Sequence, residues 1–149
     1  IDYYENSGYG LDHYAGVIDQ KGFEYSKHIA PFDINVRELG NLGKSRLESA
    51  LELGIAFEVA PKISIEDGIE AVRKSLPNCW FDKEKCKIGI EYLKAYQKRW
   101  DDKNQCFKNK PMHNYASHCA DSFRTGIIGQ GAEISNWKKQ VPINTNYIV

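Results

Sequence analysis

Ser45-Arg46-Leu47-Glu48 stands between two stretches that favour extended chain, and this placement constrains the fold more than any other feature of the sequence. A serine three residues ahead of a glutamate makes a capping box. The hydroxyl accepts one free amide of the first helical turn, and the carboxylate reaches back for another. The helix so opened runs to the stop at Gly54. Before it, Phe23 to Phe32 is aromatic and alternating, with Pro31 near its end and Asp33 at its exit; after it, Ile55 to Ala60 is β-prone up to Pro61. Further upstream, Ile1-Asp2-Tyr3-Tyr4 is another β-prone run, and Leu11, Tyr14, Ala15 and Ile18 recur at helical spacing until Gly22. The alternation βαβαβ predicts an α/β domain with a mainly parallel sheet. With 149 residues, 42% of them hydrophobic, the chain can build one sizeable core and not two.

Three more helices are expected. Ser64-Ile65-Glu66-Asp67 is a second capping box, followed by Ile65, Ile69, Val72 and Leu76 on one face until Pro77. Cys86, Ile90, Leu93, Tyr96 and Trp100 define a longer helix from about Lys83, and a polar loop is expected from Asp101 to Pro111. The last helix contains His113 to Arg124, HNYASHCADSFR. At about 100° per residue, Tyr115, Ala116, Cys119, Ala120, Phe123 and Ile127 share one side, with Asn114, His118, Asp121 and Thr125 opposite. From Gly129 the sequence loses its period and reads as a tail or linker, giving a domain over 1–128 and a tail over 129–149.

Twenty basic and twenty acidic residues cancel, so no overall field selects a polyanionic partner, although a local patch can. No apolar run approaches the roughly 20 residues of a membrane span, and no basic segment followed by an apolar leader is visible, so the expectation is a soluble protein. Cys79, Cys86, Cys106 and Cys119 lack a secretory context and are expected to be reduced. Their spacing to one another and to His113 and His118 lacks the short knuckle of a structural zinc site.

Several residues could carry chemistry. Gly40-Asn41-Leu42-Gly43-Lys44-Ser45 has two residues between its glycines where a nucleotide-phosphate loop needs four, so that reading fails. What remains is a loop carrying Arg37, Lys44 and Arg46 at a helix start, suited to backbone phosphates or to an ordinary solvated cap. Asp33 lies just past a strand exit, where open α/β sheets place ligands; it could equally cap a turn. With Asp121 and His118 it makes a set of oxygen and imidazole donors for Mg²⁺ or Mn²⁺. Cys119 beside His118 does not make a thiol hydrolase, because adjacent helical residues point about 100° apart. His13 and His28 show no partners in the sequence.

These stretches also carry a resemblance. Ile1 to Gly8 (IDYYENSG), Ala30-Pro31-Phe32-Asp33, Val36 to Gly40 with Lys44 to Glu48, Ser64 to Ile69, and Ser117 to Arg124 (SHCADSFR) run in order through about residues 1–128. Together they resemble the nuclease domain of the large terminase subunit of tailed bacteriophages and prophages. The resemblance implies a ribonuclease H-like fold, a mixed sheet flanked by helices, with an acidic cluster that binds two divalent metals, Mg²⁺ or Mn²⁺, and cuts double-stranded DNA during genome packaging. Asp33 and Asp121 match the family's acidic residues after the second-motif strand and in the last helix, and His118 matches a histidine one turn earlier.

The partners so implied are an ATPase domain, the small terminase subunit and the portal, in the cytoplasm of the bacterial host. The family's first catalytic aspartate belongs to an upstream strand without a counterpart here, and Asp2 is not assigned to it. The expectation is therefore a segment of a larger protein that begins inside the nuclease domain, with an unpaired strand edge near Ile1 to Glu5 open to dimerisation. A non-catalytic nucleic-acid or capsid-partner module of the same fold is the alternative.

Overall fold

The computed structural model describes residues 2–38 and 43–131. It is a mixed α/β structure whose elements are α1 (Leu11–Gln20), β1 (His28–Ala30), a 3-10 turn (Phe32–Asn35), α2 (Arg46–Glu52), β2 (Phe57–Val59), α3 (Ile65–Ser75), a second 3-10 turn (Leu76–Asn78), α4 (Lys87–Ala95), β3 (Lys98–Asp101), β4 (Cys106–Pro111) and α5 (Tyr115–Gln130). β1 and β2 pair in parallel, with His28 opposite Phe57 and Ala30 opposite Val59, and α2 makes the crossover between them. The expected βαβ unit is present, and the expected capping box opens its helix. The Ser45 backbone N–H donates to Glu48 Oε2 at 2.8 Å, and the Glu48 N–H donates to Ser45 Oγ at 3.2 Å.

The sheet is smaller than expected. Among the described residues β1 and β2 pair only with each other, and β3 and β4 form a separate antiparallel hairpin. Asp2 to Glu5 forms no strand; Ile1 lies outside the described residues. A local contact competes with any ladder there, because Asp2 Oδ1 accepts its neighbour's N–H from Tyr3 at 2.7 Å while the other carboxylate oxygen pairs with Lys21. The Phe23–Phe32 stretch shortens to three residues, and Phe23 and Tyr25 instead meet edge to face at 6.1 Å on the surface.

α4 is likewise shorter than its spacing predicts. It ends at Ala95, Tyr96 turns to an extended conformation, and Trp100 enters β3. The four-residue spacing from Tyr96 to Trp100 mimics a helical face, but pairing Trp100 with Phe107 across a hairpin satisfies the same aromatic residue with a cross-strand partner. The expected polar loop is thus mostly β4 and its turn. α5 runs two residues beyond the expected domain boundary, to Gln130, and the rest of the expected tail, 132–149, lies outside the described residues.

α5 organises the fold by packing on α3, α4 and β1, while α1 packs on α2. Its buried residues are Ala116, Ser117, Cys119 and Ala120. Ala30, Ala50 and Ala60 extend this small-residue core, joined by Ile34, Ile55 and Cys86, and no large side chain among the described residues is fully buried. Small side chains allow close backbone approach, and Gly129 shows how close: a Cβ there would overlap Ile29 Cγ2 of β1.

Candidate functional site

β1 ends at Ala30, whose carbonyl accepts the Ala60 N–H at 2.8 Å, so the parallel pair closes where both strands leave the sheet. Pro31 fixes an extended entry to the 3-10 turn, and buried Ile34 anchors it, leaving Asp33 exposed at the carboxyl end of the pair. Crevices at that end are where α/β sheets hold ligands.

α5 carries the other two expected residues. Asn114 caps it by accepting the Ala116 N–H at 3.1 Å, which sets the register that turns Cys119 and Ala120 inward and His118 outward. His118 meets His113 edge to face at 5.3 Å. It also lines a cleft of about 210 Å³ with Tyr3, Tyr4, Glu5 and Ser122. Asp121, one turn on, is half-exposed and accepts from Arg124 Nη2 at 3.0 Å. The Arg124 side chain lies against Gly68 of α3, where an added Cβ would stand 2.5 Å from its Cδ. Burial pushes the Tyr96 hydroxyl pKa up, and the Asp121 charge adds to the rise while Arg124 opposes it.

Two residues near His118 and Asp121 were not singled out from the sequence. Glu5 accepts the Tyr3 hydroxyl at 2.7 Å, and burial, followed by that bond, holds the Tyr3 phenol well above its usual range. The Tyr3 ring lies over Gly89 of α4, so one aromatic residue delivers Glu5 to the His118 cleft. Arg124 is the other, and its i, i+3 spacing from Asp121 was a legible pairing signal.

Asp33 at the strand exit and His118 with Asp121 on α5 are therefore carried by packed neighbours, β1 and α5. Their oxygen and imidazole chemistry fits a hard divalent cation. Among the described residues, however, no three His, Cys, Asp or Glu stand together as a finished ligand set. Cys119 is buried and donates to the Gly89 carbonyl at 3.5 Å, and burial raises its thiol pKa, the opposite of what a nucleophile needs. Cys79, Cys86, Cys106 and Cys119 are all free thiols. His13 stacks on Tyr9 at 4.2 Å, and His28 meets Phe57 edge to face at 6.1 Å.

The expected DNA-facing residues form one unit. Arg37 and Ser45 make an isolated antiparallel bridge, which sets Arg37 beside Lys44 and Arg46. Carboxylates already answer two of these charges: Lys44 pairs with Glu52 at 2.5 Å and Arg46 with Glu38 at 2.6 Å.

No protein-family model, curated protein or solved structure matches this chain. Nor is any helix among the described residues long and apolar enough to cross a membrane.

Proposed function

We propose that this chain is the metal-dependent endonuclease domain of a phage DNA-packaging terminase, with a ribonuclease H-like core, acting on double-stranded DNA in the cytoplasm of a bacterial host alongside an ATPase domain, a small terminase subunit and a portal. The observation that carries the reading is the position of Asp33 at the carboxyl end of a parallel β-pair, with the helix bearing His118 and Asp121 packed on the same strand. It adds to the resemblance carried by five ordered stretches of the sequence.

Asp33 and Asp121 would hold Mg²⁺ or Mn²⁺, with His118 beside them; the bound cations supply an activated water and stabilise the leaving oxygen of a phosphodiester. The chain's own residues do the rest. Arg124 donates to Asp121 and fixes the direction of its carboxylate. Arg37, Lys44 and Arg46 offer positive charge near the start of α2, next to the turn that holds Asp33.

The competing reading, a non-catalytic binding module of the same fold, is favoured by one observation: Asp121 already has a cation in Arg124. Cleavage of duplex DNA in Mn²⁺ separates the two. Asp33→Asn and Asp121→Asn should each lower the rate by at least about tenfold, the scale at which losing metal-site groups acts. Cleavage unaffected by either substitution would remove these carboxylates from the reaction.

A further inference from the structure

A local surplus of positive charge lies outside the loop expected to bear it. Between Lys98 and Lys110 stand five basic residues, Lys98, Arg99, Lys103, Lys108 and Lys110, against Asp101 and Asp102, in a chain whose total charge is zero. All five are exposed. They lie on the β3–β4 hairpin, whose tip is built around Asp101: its Oδ1 accepts the backbone N–H groups of Lys103 and Asn104 at 3.1 and 3.3 Å, and Gln105 takes the left-handed conformation that closes the turn. One acidic residue is thus spent on the turn and on an ion pair to Lys108 at 3.5 Å.

The same hairpin presents two large aromatic side chains to solvent. Trp100 and Phe107 are cross-strand partners with centroids 4.9 Å apart, and they are 43% and 60% exposed. Such a pair stiffens a ribbon, but it leaves roughly half of each ring's surface in water, forgoing that part of the apolar burial. Basic residues interleaved with exposed aromatics match a polyanion with apolar edges.

We propose that the β3–β4 hairpin is a contact for duplex DNA, with Lys98, Arg99, Lys108 and Lys110 on phosphates and the Trp100–Phe107 pair against sugars and groove edges. A two-stranded ribbon is of a width that the major groove admits. The choice of duplex DNA as partner rests on the nuclease reading. The hairpin, rather than the Arg37–Lys44–Arg46 loop, makes the dominant contact, because Lys44 and Arg46 must each leave a carboxylate before reaching a phosphate, whereas of the hairpin's four only Lys108 has one to leave among the described residues.

Binding of a labelled duplex, followed by anisotropy across a salt series in EDTA, tests the contact without metal or turnover. Replacing Lys98, Arg99, Lys108 and Lys110 together by Gln should flatten the dependence of log K on log salt by up to about four contacts, each worth about 0.9 in slope. Replacing Lys98, Lys108 and Lys110 by Arg should leave the slope near wild type, and near-UV circular dichroism of the Trp100–Phe107 pair shows that the hairpin persists. A wild-type slope in the Gln variant, or no duplex binding by the wild-type chain, would overturn the proposal. So would a Trp100→Ala/Phe107→Ala variant that loses single-strand binding and keeps duplex binding. An unchanged slope alongside metal-dependent cleavage would remove the hairpin and leave the nuclease reading standing. A flattened slope in a chain that binds no metal would do the reverse.

Discussion

Ser45 does the most at the scale of single residues, since its backbone and side chain both engage Glu48 while it is itself 6% exposed. Ser45→Ala should cost about 1 kcal/mol of stability in denaturant unfolding, the usual scale of a lost N-cap. Glu48 gives the same contact a pH dependence. Its pKa is lowered in the folded chain, first by the Ser45 backbone N–H and then by the Ser45 hydroxyl. A depressed carboxylate stabilises the fold above its unfolded pKa, and that contribution disappears as pH falls through the folded value. Thermal unfolding of Glu48→Gln should therefore show a lower Tm than wild type near neutrality and a smaller further loss in acid; parallel curves for the two proteins would contradict this. Such contacts were legible because they are local. Even so, the second box is only half made: Ser64 accepts the Asp67 N–H at 3.0 Å, but its hydroxyl donates to the Asp67 carboxylate, whose side chain is one methylene shorter than glutamate's. Ser117 went unread as a core residue because its polarity hides the partners it finds in the Asn114 carbonyl at 2.7 Å and in His113.

Among the elements, the β1–α5 contact decides whether Asp33 and Asp121 belong to one unit. Gly129 makes that contact possible, and Ile29 opposite it is β-branched on a strand, so it cannot swing away easily. Gly129→Ala should destabilise the protein by about 1–3 kcal/mol, the cost of overpacking, instead of giving the small gain expected for alanine in an exposed helix. A more stable Gly129→Ala protein would show that the strand and helix are not in close contact. The helices α2 and α3 were legible from their caps, but faces read from spacing held less well: Ile65 and Leu76, placed on one face of α3, are 42% and 41% exposed, and its buried residue is Gly68. The β3–β4 hairpin was not legible, because Tyr96 and Trp100 continue the helical spacing of α4 and nothing local shows that Trp100 pairs with Phe107. Tyr115 shares by spacing the side of α5 that buries Ala116, Cys119 and Ala120, yet it is 59% exposed, resting against Tyr92 at 5.0 Å. Periodicity assigns a side of the helix, but the neighbours determine how far along it the burial extends.

For the whole molecule, the sequence order gave the α/β class and the βαβ unit, because strand, capped helix and strand follow one another within about thirty residues. The face of Ala116, Cys119 and Ala120 was legible too, but not the burial of Ala30, Ala50 and Ala60 beside Ile34 and Ile55, which depends on long-range packing. Nor did a net charge of zero disclose the hairpin's surplus, since a sum over the chain hides where the charges lie. The candidate site was legible residue by residue, while its assembly depends on long-range packing that no spacing encodes. Mn²⁺ binding tests the central claim most directly. Calorimetric titration of the wild-type chain should show binding, and Asp33→Asn and Asp121→Asn should each weaken it at least about tenfold. Asp121→Asn should change stability by no more than about 1 kcal/mol, because the pair it breaks with Arg124 is partly exposed. Equal Mn²⁺ affinity in all three proteins would contradict the claim that these two carboxylates serve one metal site.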